Sequence, residues 1–466
     1  MIDGDDDLGA AARHPRALLL PGIIVLVTVG TLVLGTLVPR DLSQGEDAPI
    51  WNVSRDLLAF DLSRAITAVI LLASMATITL ATIRKGFPRA GLCLWLSYLA
   101  FVLSNFVLPG VAGKVPGFDY RLLLPPIAFT AVYFARPMAD APLVTLCKSV
   151  LLAFVYSSLL AAVLMPAQAL AAYVEGIVPG LAVRLYGVGG GATSLGALSS
   201  AYVAIELVSP SPSRWRFLHL IAAATALLLT QAKTSWLFVL LVALALAAHR
   251  LWRRPPSLGL GKGPSASATR ALFVTCGVAG LLGLAAAQAA SLDLGSLRGG
   301  ENVMSLTGRT YIWATSVRAW LDDPVFGYGL GLWESERFRA MHGPFDHAHN
   351  QFLHALASAG LLGLLGLLGY LGTALAAARR AARTSAVPMV LLAGMVSLCI
   401  TNVPLRAHYV LDAFTLIHLL LFSSLICAER SPESASPDSE PAAERVPPEL
   451  EVRPGEMEGP KWPEVP

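Results

Sequence analysis

The chain has 466 residues, 55% of them hydrophobic and only 14% charged, with a formal net charge of +3. Soluble domains carry about 25% charged residues, so this balance excludes an ordinary soluble globular protein and fits a polytopic membrane protein. Basic residues are dispersed between apolar segments and form no long stripe, which speaks against nucleic acid as a partner.

The first 16 residues, MIDGDDDLGAAARHPR, read as a short cytoplasmic tail. The apolar run at 17–38 is longer than the core of a secretory signal, and no A-x-A-like site follows it closely. It therefore reads as the first transmembrane helix. Further apolar runs fall at 65–83, 90–108, 122–135, 142–164, 192–208, 217–231, 236–248, 271–290, 355–378, 387–401 and 412–427. The expected fold is an all-α polytopic membrane protein of about twelve transmembrane helices. The membrane domain would span 17–428, with one large periplasmic loop at 291–346, and the Pro-, Glu- and Ser-rich stretch 429–466 would be a disordered cytoplasmic tail.

Lys and Arg are about twice as dense in the segments that face the cytoplasm when the N-terminus is placed inside, which puts both termini there. The five cysteines, Cys93, Cys147, Cys276, Cys399 and Cys427, sit in or beside apolar runs without a CxxC pair. They read as structural thiols rather than zinc ligands or a disulfide framework.

Within 291–346, TYIWATSVRAWLDD reads as an amphipathic helix stopped by Pro324, with Ile312, Thr315, Val317 and Trp320 roughly on one side. VFGYGLGLW then reads as a tight glycine turn, and GPFDHAHNQFLHALASAGLLG brings three histidines to the mouth of an apolar helix.

On this topology four candidates share the extracytoplasmic side: Arg184 before the sixth helix, Lys233 in a short turn, Arg309 opening the amphipathic helix, and His349 at the start of the helix at 355–378. A basic residue pinned between apolar helices is costly to desolvate and tends to mark a functional cavity. Arginine presents a planar fork of donors that matches phosphate, lysine a compact charge, and neutral histidine a proton acceptor at ordinary pH. The set suits an amphiphile with an anionic head. Taken singly, Arg184 reads as readily as a snorkelling side chain, Lys233 as a turn residue and Arg309 as a loop cap. His347, His354 and Asp346 read as groups that shape or hydrogen-bond the site. Alternating ligands on an extended segment would splay, so no metal is expected.

His349, Asn350, nine further residues, Gly360, two leucines and Gly363 reproduce the signature of the O-antigen ligase superfamily, which the chain resembles over about 180–370. Arg309, Trp313, Pro324, Gly327, Gly329 and Gly331 resemble its Arg-x-x-x-Trp, Pro, Gly-x-Gly-x-Gly run. Arg184 and Gly187 match its Arg-x-x-Gly segment, with Ala192-Thr193 where Pro-Asn is usual, and Lys233 stands where arginine is common. The resemblance implies a cofactor- and metal-independent, inverting glycan transfer at the periplasmic face of a bacterial inner membrane. It implies an undecaprenyl pyrophosphate-linked glycan as donor, and lipid A–core or a growing glycan as acceptor. Arg184, Arg309 and Lys233 would hold the pyrophosphate and His349 would orient or deprotonate the acceptor. Asn350, His347 and the turn with Gly327, Gly329 and Gly331 would support them.

One dominant periplasmic loop favours a ligase, since polymerases of the superfamily often have two with Arg-x10-Gly motifs, and neither Arg184 nor Arg309 has glycine eleven positions on. The alternatives are an O-antigen or exopolysaccharide polymerase, a protein O-oligosaccharyltransferase, and a transporter or flippase.

Overall fold

A computed structural model describes residues 19–37, 42, 57–173, 181–188, 190–253, 309–335, 338, 347–406 and 410–430. Eight apolar helices precede residue 254: α1 (Leu19–Leu37), α2 (Leu57–Lys85), α3 (Leu92–Ala112), α4 (Leu124–Phe134), α5 (Asp140–Leu164), α6 (Ala192–Val208), α7 (Arg216–Thr230) and α8 (Lys233–Arg253). Then come α9 (Arg309–Asp322), α10 (Gln351–Ala381), α11 (Val387–Thr401) and α12 (Ala413–Glu429). A two-stranded antiparallel hairpin, β1 (Leu170–Ala172) and β2 (Val183–Leu185), connects α5 to α6, with Ala171 opposite Arg184.

Eleven of the twelve expected apolar runs lie in helices; the run at 271–290, the expected N-terminal tail, half of 291–346 and the expected C-terminal tail beyond Arg430 lie outside the described residues. The expected amphipathic helix is α9, but its buried side is Ile312, Trp313, Thr315, Ser316 and Ala319, with Val317 exposed, and the glycine turn continues into a 3-10 segment, Leu330–Glu334. Several helices outrun their hydrophobic cores. α2 begins at Leu57 rather than near 65, and α10 begins at Gln351 because the Asn350 side chain caps it, accepting from the Phe352 and Leu353 amides. Lys233 opens α8 directly, leaving only Gln231 and Ala232 between α7 and α8.

Among the described residues, five helical stretches are long and apolar enough to cross a membrane: Leu19–Leu37, Phe60–Ile83, Leu92–Ala112, Asp140–Leu164 and Gln351–Ala381. The chain is thus mostly helical with several apolar helices, as a helical membrane protein is. α12 is apolar on every side and buried from Leu416 to Ala428, which makes it the bundle's centre. α2, by contrast, leaves Val69, Leu72, Met75 and Ile83 exposed.

Two irregularities matter for the site. α3 contains a π-helical turn, Leu103–Val107, whose buried Asn105 donates Nδ2 to the Gly363 carbonyl of α10 at 2.8 Å. α10 breaks at Gly360, where φ is 64° and ψ −159°. The break is splinted from outside the helix. Tyr328 and Gly329 amides donate to the Ala357 and Ser358 carbonyls at 2.8 and 3.0 Å, while the Leu361 and Leu362 amides donate to Pro324 and Val325 at 2.8 and 3.3 Å. Interrupted helical backbone in an apolar setting needs such substitutes. Gly327 and Gly360 both have positive φ, and a Cβ on either would overlap the other's backbone.

Candidate functional site

β2 carries Arg184 to the α7–α8 turn. Its Nε donates to the Thr230 carbonyl at 2.9 Å, and its guanidinium lies 4.9 Å from the Tyr173 ring centroid and 5.9 Å from that of Tyr186. These rings attract the cation while leaving it partly accessible. The buried Gln231 fastens the same strand, donating Nε2 to the Val183 and Leu181 carbonyls at 2.8 and 3.2 Å. Lys233 follows two residues later with its side chain exposed.

The turn then reaches the far side of the site. Thr234 Oγ1 donates to Thr401 Oγ1 at 2.9 Å, joining the start of α8 to the end of α11. One residue earlier in α11, the Ile400 carbonyl accepts from Asn350 Nδ2 at 3.0 Å. Asn350 follows His349, whose φ of 50° turns the backbone sharply into α10. The His347 and His349 rings stand 4.1 Å apart, tilted 52°.

The remaining link runs through α9. Trp313 Nε1 donates to the Ala348 carbonyl at 2.8 Å, immediately before His349. Arg309 lies one helical turn before Trp313, hence on the same face of α9. Burial, first, and then the like charge of Arg184 hold the Arg309 guanidinium below its usual pKa, with Tyr173 acting in the opposite direction. Arg309 and Arg184, 125 positions apart in sequence, are therefore electrostatic neighbours.

The four candidates thus belong to one linked run of elements. Arg184 bonds the end of α7, the start of α8 bonds α11, α11 bonds the residue after His349, and α9 bonds the residue before it. Two like-charged guanidinium groups repel each other and are relieved by an anion, and a neutral imidazole on the same run of elements can take a proton. Of the supporting residues, Asn350 works as helix cap and latch, and the His347 ring lies tilted against that of His349. The turn with Gly327, Gly329 and Gly331 packs on the α10 break and on Val115, whose amide donates to the Tyr328 carbonyl at 2.7 Å and whose carbonyl accepts from Gly331 at 3.1 Å.

His354 lies deeper, stacked on Trp333 at 5.1 Å, and Trp333 donates to Ser358 Oγ at 2.9 Å. Asp346 lies outside the described residues, and among those described no three His, Cys, Asp or Glu side chains gather as metal ligands would. The sequence reading missed Gln231, Thr234 and Thr401. None belongs to a charge pattern, and a hydroxyl or amide in an apolar run gives no signal of its partner.

A mostly helical chain of the membrane type, with a cationic site, is the class these features define. Residues 218–368 match the family model of O-antigen ligase, a stretch from α7 into α10 that takes in Lys233, Arg309, Trp313, the glycine turn, His349 and Gly360. The resemblance to the O-antigen ligase superfamily is shown over that stretch, and it indicates ligase- or polymerase-like glycan transfer. Arg184 lies outside it. No curated protein matches the chain.

Proposed function

We propose that this protein transfers a glycan from undecaprenyl pyrophosphate to an acceptor hydroxyl at the periplasmic face of a bacterial inner membrane, ligating O-antigen to lipid A–core. The observation that carries this reading is the run of hydrogen bonds that links the elements bearing Arg184, Lys233 and His349, joined by Trp313 of the helix that bears Arg309. In this reading the twelve-helix domain spans the membrane with both termini cytoplasmic, and the site faces the periplasm.

The acceptor oxygen attacks the anomeric carbon, and the bond from that carbon to the pyrophosphate oxygen breaks. The leaving oxygen takes the electron pair, and Arg184, Arg309 and Lys233 neutralise the charge it gains. His349 takes the acceptor proton. Attack opposite the leaving group inverts the anomeric configuration. Charge neutralisation by side chains leaves no step that calls for a metal or cofactor. Because α9, β2 and the start of α8 are linked only through the fold, the pyrophosphate would be bound by elements that the fold holds at fixed spacing.

A deletion strain examined on a lipopolysaccharide gel tests this. Loss of every ladder rung with accumulation of lipid-linked polymer is the expected result. One capped repeat per core would instead make the protein a polymerase, and intact lipopolysaccharide with missing secreted polysaccharide an exopolysaccharide polymerase. A strain unchanged in every surface and lipid-linked glycan would overturn the reading.

A further inference from the structure

Among the described residues, only Gln231 and His349 are non-glycine residues with positive φ, at 51° and 50°. Both lie on the run of elements that carries the site. At the C-terminal end of a helix the left-handed position is ordinarily filled by glycine, sometimes asparagine, because other side chains are strained there. Gln231 occupies that position after α7. A residue needed only as a helix cap would be better as glycine, so the glutamine side chain must do something that glycine cannot.

What it does is visible at the free edge of β2. Carbonyls alternate along a strand, and that of Ala182 points toward the partner strand, where it accepts from the Tyr173 amide at 2.9 Å. Those of Leu181 and Val183 point the other way, and the single Nε2 of Gln231 donates to both. An amide nitrogen carries two N–H donors, which this double bond uses fully. A carboxylate in its place would offer only acceptors to two carbonyls, and an aliphatic side chain would offer nothing. Beside these bonds, Arg184 Nε donates to Thr230, the residue before Gln231. Three hydrogen bonds therefore tie the strand that bears Arg184 to Thr230 and Gln231, just before Lys233, and two of them come from one side chain that is 1% exposed.

We infer that Gln231 is a positioning residue that fixes the spacing of Arg184 and Lys233, and through it the affinity of the site for a diphosphate. The inference rests on the diphosphate reading above. Gln231 reaches no reacting atom itself. Its effect is on donor binding, so it moves KM for the lipid-linked donor rather than kcat.

The test compares Q231G and Q231N with the full-length wild type in detergent. Glycine and asparagine accept the left-handed backbone, so the turn is retained in both. Binding of inorganic pyrophosphate is measured by calorimetry, donor KM and kcat by glycan transfer, and folding by thermal melting. Q231G is expected to stay folded, relief of left-handed strain offsetting part of the two lost hydrogen bonds, and to bind pyrophosphate about tenfold more weakly. Donor KM rises by a similar factor and kcat changes little. Q231N, which keeps both donors on a shorter arm, falls between the two. Pyrophosphate binding and donor KM in Q231G equal to wild type, with R184A binding lost, would overturn the role of Gln231 and leave the diphosphate reading standing. Wild-type protein that binds no pyrophosphate, or binding that survives both R184A and R309A, would overturn the diphosphate reading and this inference with it.

Discussion

The Trp313 indole reaches across from α9 to hydrogen-bond the Ala348 carbonyl, 35 positions later in the chain, and both residues are buried. This one bond couples the helix that presents Arg309 to the backbone that presents His349. Phenylalanine at 313 would fill much of the same space but could not donate. W313F should lose about 1 kcal/mol of stability, the usual effect of one lost hydrogen bond. Its glycan transfer should fall by about tenfold or more, mainly in kcat, because a displaced base is felt in the reacting geometry. Transfer kinetics alongside a melting curve check this; full kcat in W313F would mean that Ala348 holds its place without the indole.

Asn350 has two jobs that substitution can separate. Its Oδ1 accepts from the Phe352 and Leu353 amides at 3.0 Å each, and its Nδ2 donates to Ile400 at 3.0 Å. Serine caps helices about as well as asparagine but is too short to reach α11. N350S should therefore melt close to wild type and keep part of its transfer activity. N350A should be less stable by about 1 kcal/mol and retain less activity. Equal melting temperatures for the two variants would show that the cap contributes little here.

Much of this architecture was readable from the pattern of residues, and the reasons are specific. α9 was legible because apolar residues recur at helical spacing and Pro324 ends the run. His349 and Arg309 were legible because ionisable side chains are scarce in an apolar chain, so each one carries information. The break in α10 was not legible. Gly360 sits among alanines and leucines that all favour helix, and only the backbone groups of 324–329, distant in sequence, make its interruption tolerable. The π-helical turn in α3 was hidden likewise, since the carbonyl that accepts from Asn105 belongs to another helix. Gln231 was invisible for a third reason: its strain and its two acceptors exist only after β2 has docked.

The glycines of α10 give a sharp comparison. A Cβ at Gly360 would overlap the Val325 carbonyl and sit at positive φ, whereas Gly369 and Gly372 have open space where a Cβ would go. G360A should lose about 2 kcal/mol or more, combining left-handed strain with displacement of the splinting loop. G369A and G372A should be neutral or stabilising by up to about 1 kcal/mol, since alanine is the better helix former. Folded yield and melting temperature in detergent measure all three. A G360A protein as stable as G369A would mean that the break in α10 is not needed for the fold.

A different polar cluster, at the opposite end of α6 from the Arg184 hairpin, should behave as structure alone. Glu206, fully buried, pairs with Lys148 of α5 at 2.8 Å and Arg216 of α7 at 2.8 Å. It also accepts from the Ser211 amide and hydroxyl at 2.6 and 2.8 Å, while Lys148 donates to the Ser209 carbonyl and to Ser211 Oγ at 2.8 Å. Removing one partner of a buried ion pair strands the other, at about 3–5 kcal/mol, whereas replacing both with fitted apolar groups is often neutral. K148M should therefore reduce folded protein sharply, and K148M/E206L should recover part of it, since Arg216 is 38% exposed and can turn to solvent. Protein of either variant that does fold should keep the wild-type donor KM, because its cations act at the other end of α6. A raised KM in folded K148M would mean that this cluster communicates with the site, and the separation drawn here between scaffold and site would be wrong.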